Sequence, residues 1–177
     1  MKLIVLRCPN CGQELTPGED DLIVLCVPCG TAIEFTEEGL RPIEMRFAAA
    51  PAKNAEWRPW WVFTGQVNLA RRETQGGNQR DEALKFWSQV TRFYIPAWEL
   101  SLQSVREAGL TQLQKQPQLQ AMPRPAGARC APVVVSATDA RQLLDYLVVT
   151  VEAGRKDGLK DLLFTVEVGL PELWALA

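Results

Sequence analysis

Cys8-Pro9-Asn10-Cys11-Gly12 and Cys26-Val27-Pro28-Cys29-Gly30 are two Cys-x-x-Cys-Gly turns, separated by the 14 residues from Gly12 to Leu25. Each turn brings two sulfurs to the spacing of one tetrahedral edge, and two turns complete the tetrahedron. The glycine closing each turn suits the positive φ that lets backbone N–H groups point at the sulfurs. Those donors, like a bound cation, favour thiolate over thiol. Cys8, Cys11, Cys26 and Cys29 are therefore expected to hold one metal ion. Four thiolates around Zn2+ leave no open coordination position, so the expected role is structural and not catalytic. On the order of 10 kcal/mol or more of metal binding then becomes folding free energy. The alternative for the same residues is a pair of disulfides in a secreted domain. Lys2-Leu-Ile-Val-Leu-Arg7 is too short for a signal peptide, and Cys130 adds an unpaired thiol. A reducing compartment, the cytoplasm, is the expectation.

Little else in the chain points to chemistry. There is no histidine, which removes the commonest general base and any mixed Cys/His metal site. Gly76-Gly77 lies in a polar turn and not after a strand, so no phosphate-binding loop is expected. No pair of carboxylates stands at a spacing that suggests acid–base work. Cys130 sits beside Arg129, which would lower its pKa somewhat, but the plainer reading is a small residue next to a strand. The expectation is a protein that is not an enzyme, with no small-molecule substrate. A net charge of −2 and a pI near 5.3 suggest no bulk attraction to nucleic acid. No apolar run approaches the length of a transmembrane helix.

The elements that must position the cysteines are short. Residues 2–7 read as a strand feeding the first turn, Leu22–Cys26 as a second and Thr31–Phe35 as a third, with a turn at Thr16–Asp21. Residues 41–56 read as a connector, with Ile43–Phe47 as a short strand within it. The 47% hydrophobic content then supports a real core in residues 57–177. Trp57, Trp60, Trp61, Trp87 and Trp98 fall within 57–98. Trp60–Arg72 alternates as a strand, Gln75–Gln79 reads as a loop, and Leu84–Trp98 reads as a second extended stretch. The aromatic residues lie at strand period, which favours core filling over a recognition groove for a peptide, base or sugar. Ser104 and Glu107 fit a capping box for a helix to about Gln114, and Ser136 and Asp139 fit another for a helix to about Val148. Gln116–Pro132 reads as an extended surface crossing, Pro132–Val135 as a strand, and Val149–Glu152 as a candidate strand. Lys160–Val168 alternates as a strand. The apolar tail Pro171–Leu176 is expected to be tied down as an edge strand or covered by a partner.

Three short strands and two Cys-x-x-Cys-Gly turns resemble the zinc-ribbon, or rubredoxin-like, superfamily over residues 1–40; residues 57–177 resemble no family. The resemblance implies a three-stranded zinc ribbon over residues 1–40; with the patterning of the rest, the expectation is an α+β protein in which the ribbon is followed by a Trp-rich, mainly antiparallel β domain with two short helices. It is specific for metal and fold and not for function, since the fold serves transcription factors, ribosomal proteins and assembly proteins alike. Similar turns in rubredoxins hold iron for electron transfer, but with a longer intervening segment carrying aromatic residues; Gln13–Leu25 has none. Glu14, Glu19, Asp20, Asp21, Glu34, Glu37 and Glu38 face only Lys2 and Arg7 here, and the zinc–thiolate centre adds about two negative charges. A surface that grips phosphates is basic. The reading is a non-catalytic interaction or scaffold protein within a larger assembly, recognising a protein partner. The alternatives are a nucleic-acid-associated factor and an iron electron carrier.

Overall fold

A computed structural model of the chain describes residues 6–49, 56–77 and 79–177. Two sheets and three helices make a mixed α+β fold. Strands β1 (Ile23–Leu25), β2 (Ala32–Thr36) and β3 (Gly39–Ile43) form an antiparallel sheet in the order β1-β2-β3. A six-stranded sheet comprises β4 (Met45–Ala48), β5 (Arg58–Thr74), β6 (Thr91–Pro96), β7 (Ala121–Met122), β8 (Leu159–Val168) and β9 (Glu172–Leu176). Helices α1 (Arg80–Trp87), α2 (Leu102–Lys115) and α3 (Ala137–Ala153) complete the fold.

The 17-residue β5 is the spine of the larger sheet. Its first half pairs with β6 on one edge and β9 on the other; its second half pairs with β8. Both faces of that first half are covered, so Trp60 and Val62 are as buried as Trp61 and Phe63. Trp61, Phe63 and Val67 share the main core with Ala140, Leu144, Leu147 and Val148 of α3. Trp60 and Val62 join Tyr94, Trp98 and Trp174 in a second cluster. All six tryptophans are buried, as core filling requires. Gly65 sits where β6, β5 and β8 meet; a Cβ there would overlap the Glu167 carbonyl oxygen and lie 2.7 Å from Val168 Cα.

Several expectations are corrected. Among the described residues there are three helices and not two, and the extended stretch from Leu84 begins as α1, which buries Ala83 and Trp87 at i, i+4. Helix α2 starts a turn earlier than the Ser104 capping box implied: Ser101 is its N-cap and accepts from the Ser104 N–H at 3.2 Å. Helix α3 runs to Ala153, so Val149–Glu152 is helical and not a strand. Pro132–Val135 contributes only a bridge, Val133 to Ile23. The tail strand β9 is interior, antiparallel to β5 and parallel to β4, and not an edge. The third strand of the small sheet follows the cysteines as β3; of the strand expected over 2–7, residues 2–5 lie outside the described residues. The Ser136 box stands: its hydroxyl accepts from the Asp139 N–H at 3.0 Å and donates to the Asp139 carboxylate at 2.7 Å. Among the described residues no helix is long and apolar enough to cross a membrane.

Candidate metal centre

Both Cys-x-x-Cys-Gly turns fold as tight knuckles. Gly12 N–H donates to Cys8 O at 2.8 Å and Gly30 N–H to Cys26 O at 2.7 Å. Gly12 and Gly30 stand at φ +72° and +77°, where a side chain would be strained. Each knuckle is closed from outside: Cys8 N–H donates to Gln13 O at 2.8 Å, and Cys26 N–H to Thr31 O at 2.9 Å. A small local core holds the two knuckles together, with Leu15 and Ile33 buried against Cys8 and Cys26.

The result is one sulfur cluster. Cys8 Sγ lies 3.6 Å from Cys29 Sγ, and Cys11 Sγ lies 3.6 Å from Cys26 Sγ. All four sulfurs lie within 4.8 Å of one another. A disulfide needs about 2.05 Å, and all four cysteines are free thiols here. Four sulfurs about 2.3 Å from a common centre would be about 3.8 Å apart, so this cluster is close to the tetrahedral size for a thiolate-bound ion. These four residues can hold a metal ion. Cys8 and Cys26 are buried while Cys11 is exposed, so an ion can enter without opening the core.

The polar surroundings differ between the sulfurs. Burial opposes charge on Cys29, but the Thr31 hydroxyl, the Thr31 N–H and the Asn10 amide outweigh it and bring the thiol down to about 5. Thr31 Oγ1 lies 3.3 Å from Cys29 Sγ and accepts from Asn10 Nδ2 at 3.0 Å. Burial pushes the Cys26 thiol up to about 12, against the opposing Cys29 N–H. Binding of a metal ion by thiols requires their deprotonation, so occupancy of such a cage is linked to pH.

Cys130 is not part of the cluster. It bridges Trp57 across a short parallel pairing, and burial pushes its thiol up to about 12. The lowering expected from Arg129 is not found; desolvation alone sets the direction.

The knuckles are docked onto the larger sheet. Ile23 and Ala32 belong to the main core with Trp61 and Phe63. Leu22 N–H donates to Val133 O at 2.7 Å, and Val133 N–H donates to Ile23 O at 2.9 Å. The next residue, Val134, donates to Ala97 O at 2.8 Å. The segment 128–135 is strung between both sheets. Sequence reading passed over one residue that bears on the region. Arg124, in the surface crossing, reaches the second knuckle, and only the flanking Pro123 and Pro125 hint at a fixed direction.

Sequence reading also passed over a buried ionic cluster elsewhere. Arg72 Nε donates to Glu152 at 2.6 Å, and its two Nη groups donate to Asp157 at 2.5 and 2.8 Å. Glu152 also accepts from Trp87 Nε1 at 2.7 Å and Arg155 Nε at 2.8 Å. Asp157 accepts a further bond from the Gln79 N–H. The two cations and two carboxylates balance, and the cluster ties β5, α1 and α3 together. Its groups are saturated by one another, which fits a structural tie.

No protein-family model, curated protein or solved structure matches the chain.

Proposed function

We propose that this chain is a non-catalytic zinc-ribbon protein that holds one structural Zn2+ through Cys8, Cys11, Cys26 and Cys29 and acts as a scaffold or adaptor for a protein partner in the cytoplasm. The observation that carries the metal reading is the sulfur cluster, with two edges of 3.6 Å and every sulfur within 4.8 Å of the others. Four protein thiolates fill a tetrahedral ion, which leaves no position for substrate. Zinc is favoured over iron because Gln13–Leu25 places no aromatic ring over the cage.

The partner reading rests on the surface. Val27, at the tip of the second knuckle, is 54% exposed, beside exposed Pro28. Glu14 and Asp21 line the same hollow as Val27 and Pro28. A protein surface recognised through an apolar tip with acidic neighbours fits that arrangement. The buried C-terminal strand no longer supports it, since Leu173, Trp174 and Ala175 are explained by the core. The buried tryptophans and acidic ribbon weigh against base stacking and phosphate binding. The test is the size of the native assembly. The tagged chain, expressed at its natural level, is run by size exclusion with light scattering. Elution in a complex that Val27→Asp disrupts while the metal is retained supports the reading; a monomer at every concentration overturns it.

A further inference from the structure

Arg124 is a long side chain of the crossing segment that reaches the second knuckle. Strand β7 ends at Met122, and Pro123 and Pro125 flank Arg124. Proline fixes its own φ and pushes the residue before it into extended backbone, so the side chain leaves in a set direction. Ala128 N–H then donates to Pro125 O at 3.0 Å, turning the chain back with Gly127 at φ +69°. This turn brings the Ala128 carbonyl beneath the guanidinium. Arg124 Nη2 donates to Ala128 O at 2.9 Å and to Val27 O at 3.1 Å. Val27 lies inside the second Cys-x-x-Cys turn.

Gly30 completes the seat. A Cβ at Gly30 would overlap Arg124 Nη1 and lie 3.0 Å from Arg124 Cδ. Glycine suits the φ of +77° here, and any side chain at Gly30 would also displace the guanidinium from this seat. Arg124 Nε is buried, with no hydrogen-bond partner among the described residues. Arg124 as a whole is half-buried, so the cation keeps part of its solvation, but a buried donor left unmet is still unfavourable, and nearby negative charge helps to offset it. A thiolate cage holding Zn2+ carries about two negative charges and sits one residue from Gly30.

We infer that Arg124 is a positioning residue for the metal centre, which ties occupancy of the cage to the docking of residues 123–133. This rests on the metal reading above. An ion pins Cys26 and Cys29, and with them the Val27 carbonyl that faces Arg124. Without the ion the second knuckle loosens and that carbonyl can turn away. The guanidinium then keeps only Ala128 O on its own segment, and the crossing loses its anchor. Residues 128–135 bridge the two sheets, so the consequence is transmitted to the join between them.

The test uses the full chain with Co2+, whose visible spectrum reports tetrahedral thiolate ligation, and hydrogen exchange read by mass spectrometry. Wild type is expected to take one Co2+ and to slow exchange in a peptide covering 123–133 about tenfold on loading. Arg124→Met is expected to keep the stoichiometry, to bind Co2+ about 10- to 100-fold more weakly, and to lose the metal dependence of exchange at 123–133. Arg124→Lys, which keeps the cation but lacks the second amino group, is expected to fall between them and carries the test if Arg124→Met does not fold. Either variant with wild-type affinity within about twofold and wild-type metal-dependent protection overturns the inference. A wild-type chain that gives no thiolate–Co2+ spectrum overturns the metal reading itself, a distinguishable failure.

Discussion

Replacing Arg72 with methionine should be among the most damaging single changes to this fold. The side chains of Arg72 and Glu152 are 1% and 0% exposed, and that of Asp157 is 2% exposed. The substitution removes three charge-assisted hydrogen bonds at 2.5–2.8 Å. At about 1.5–3 kcal/mol each these would sum to far more than is usually observed. Glu152 keeps Trp87 Nε1 and Arg155, however, and Asp157 keeps the Gln79 N–H, so neither carboxylate is left bare. The value for breaking a buried ion pair, about 3–5 kcal/mol, is therefore the better guide. With a urea slope of about 2 kcal/mol per molar, the midpoint should fall by about 1.5–2.5 M.

Acid gives an independent arm. The Arg72 guanidinium, helped by the Gln79 N–H, holds Asp157 at about 2, below the unfolded value of about 3.9. A depressed carboxyl pKa stabilises the fold above the unfolded value, and that contribution is lost as pH falls from about 4 through 2. Equilibrium urea unfolding at pH 7 and through this acid range, on both proteins, is the assay. Arg72→Met should flatten the acid-dependent loss as well as lower the midpoint at pH 7. A midpoint shift below about 0.5 M, with the acid dependence unchanged, would refute the assignment of the cluster as a structural tie.

Three further outcomes follow from the packing. Gly65→Ala should destabilise by about 3 kcal/mol, because the new methyl meets Glu167 and Val168 backbone and not a movable side chain; an unchanged melting temperature would sink this. Ser136→Ala removes the N-cap bond to Asp139 N–H and should lower stability by about 1 kcal/mol, read from the urea midpoint. Trp61→Phe keeps most of the buried ring but leaves Val135 O without its 2.8 Å indole donor; a loss of about 1–2 kcal/mol is expected in chemical unfolding, and stability equal to wild type would contradict it.

What could be read from the sequence was whatever depends on local spacing. The knuckles, Gly12 and Gly30, the Ser136 cap and the face Ala140, Leu144, Leu147 each rest on contacts within a few residues. The misread elements depend on distant partners. Helix α1 has only eight residues, and its Phe86-Trp87 looks like strand until Trp87 Nε1 is seen to donate to Glu152, 65 residues away. The polar Glu152 broke the apolar pattern at the end of α3, since its partner Arg72 lies 80 residues back. The tail Pro171–Leu176 was legible as a strand, but its place between β5 and β4 is a matter of sheet order that no local pattern encodes. For the candidate centre, the clustering of the four cysteines was legible and the Arg124 contact was not, because 97 residues separate it from Val27.

The most direct test is elemental analysis of the chain purified without chelator. The account predicts one zinc per polypeptide, no visible colour, and loss of both the metal and the β1–β3 fold when Cys8 and Cys26 are replaced by serine. A metal-free polypeptide that keeps that small sheet intact would contradict it.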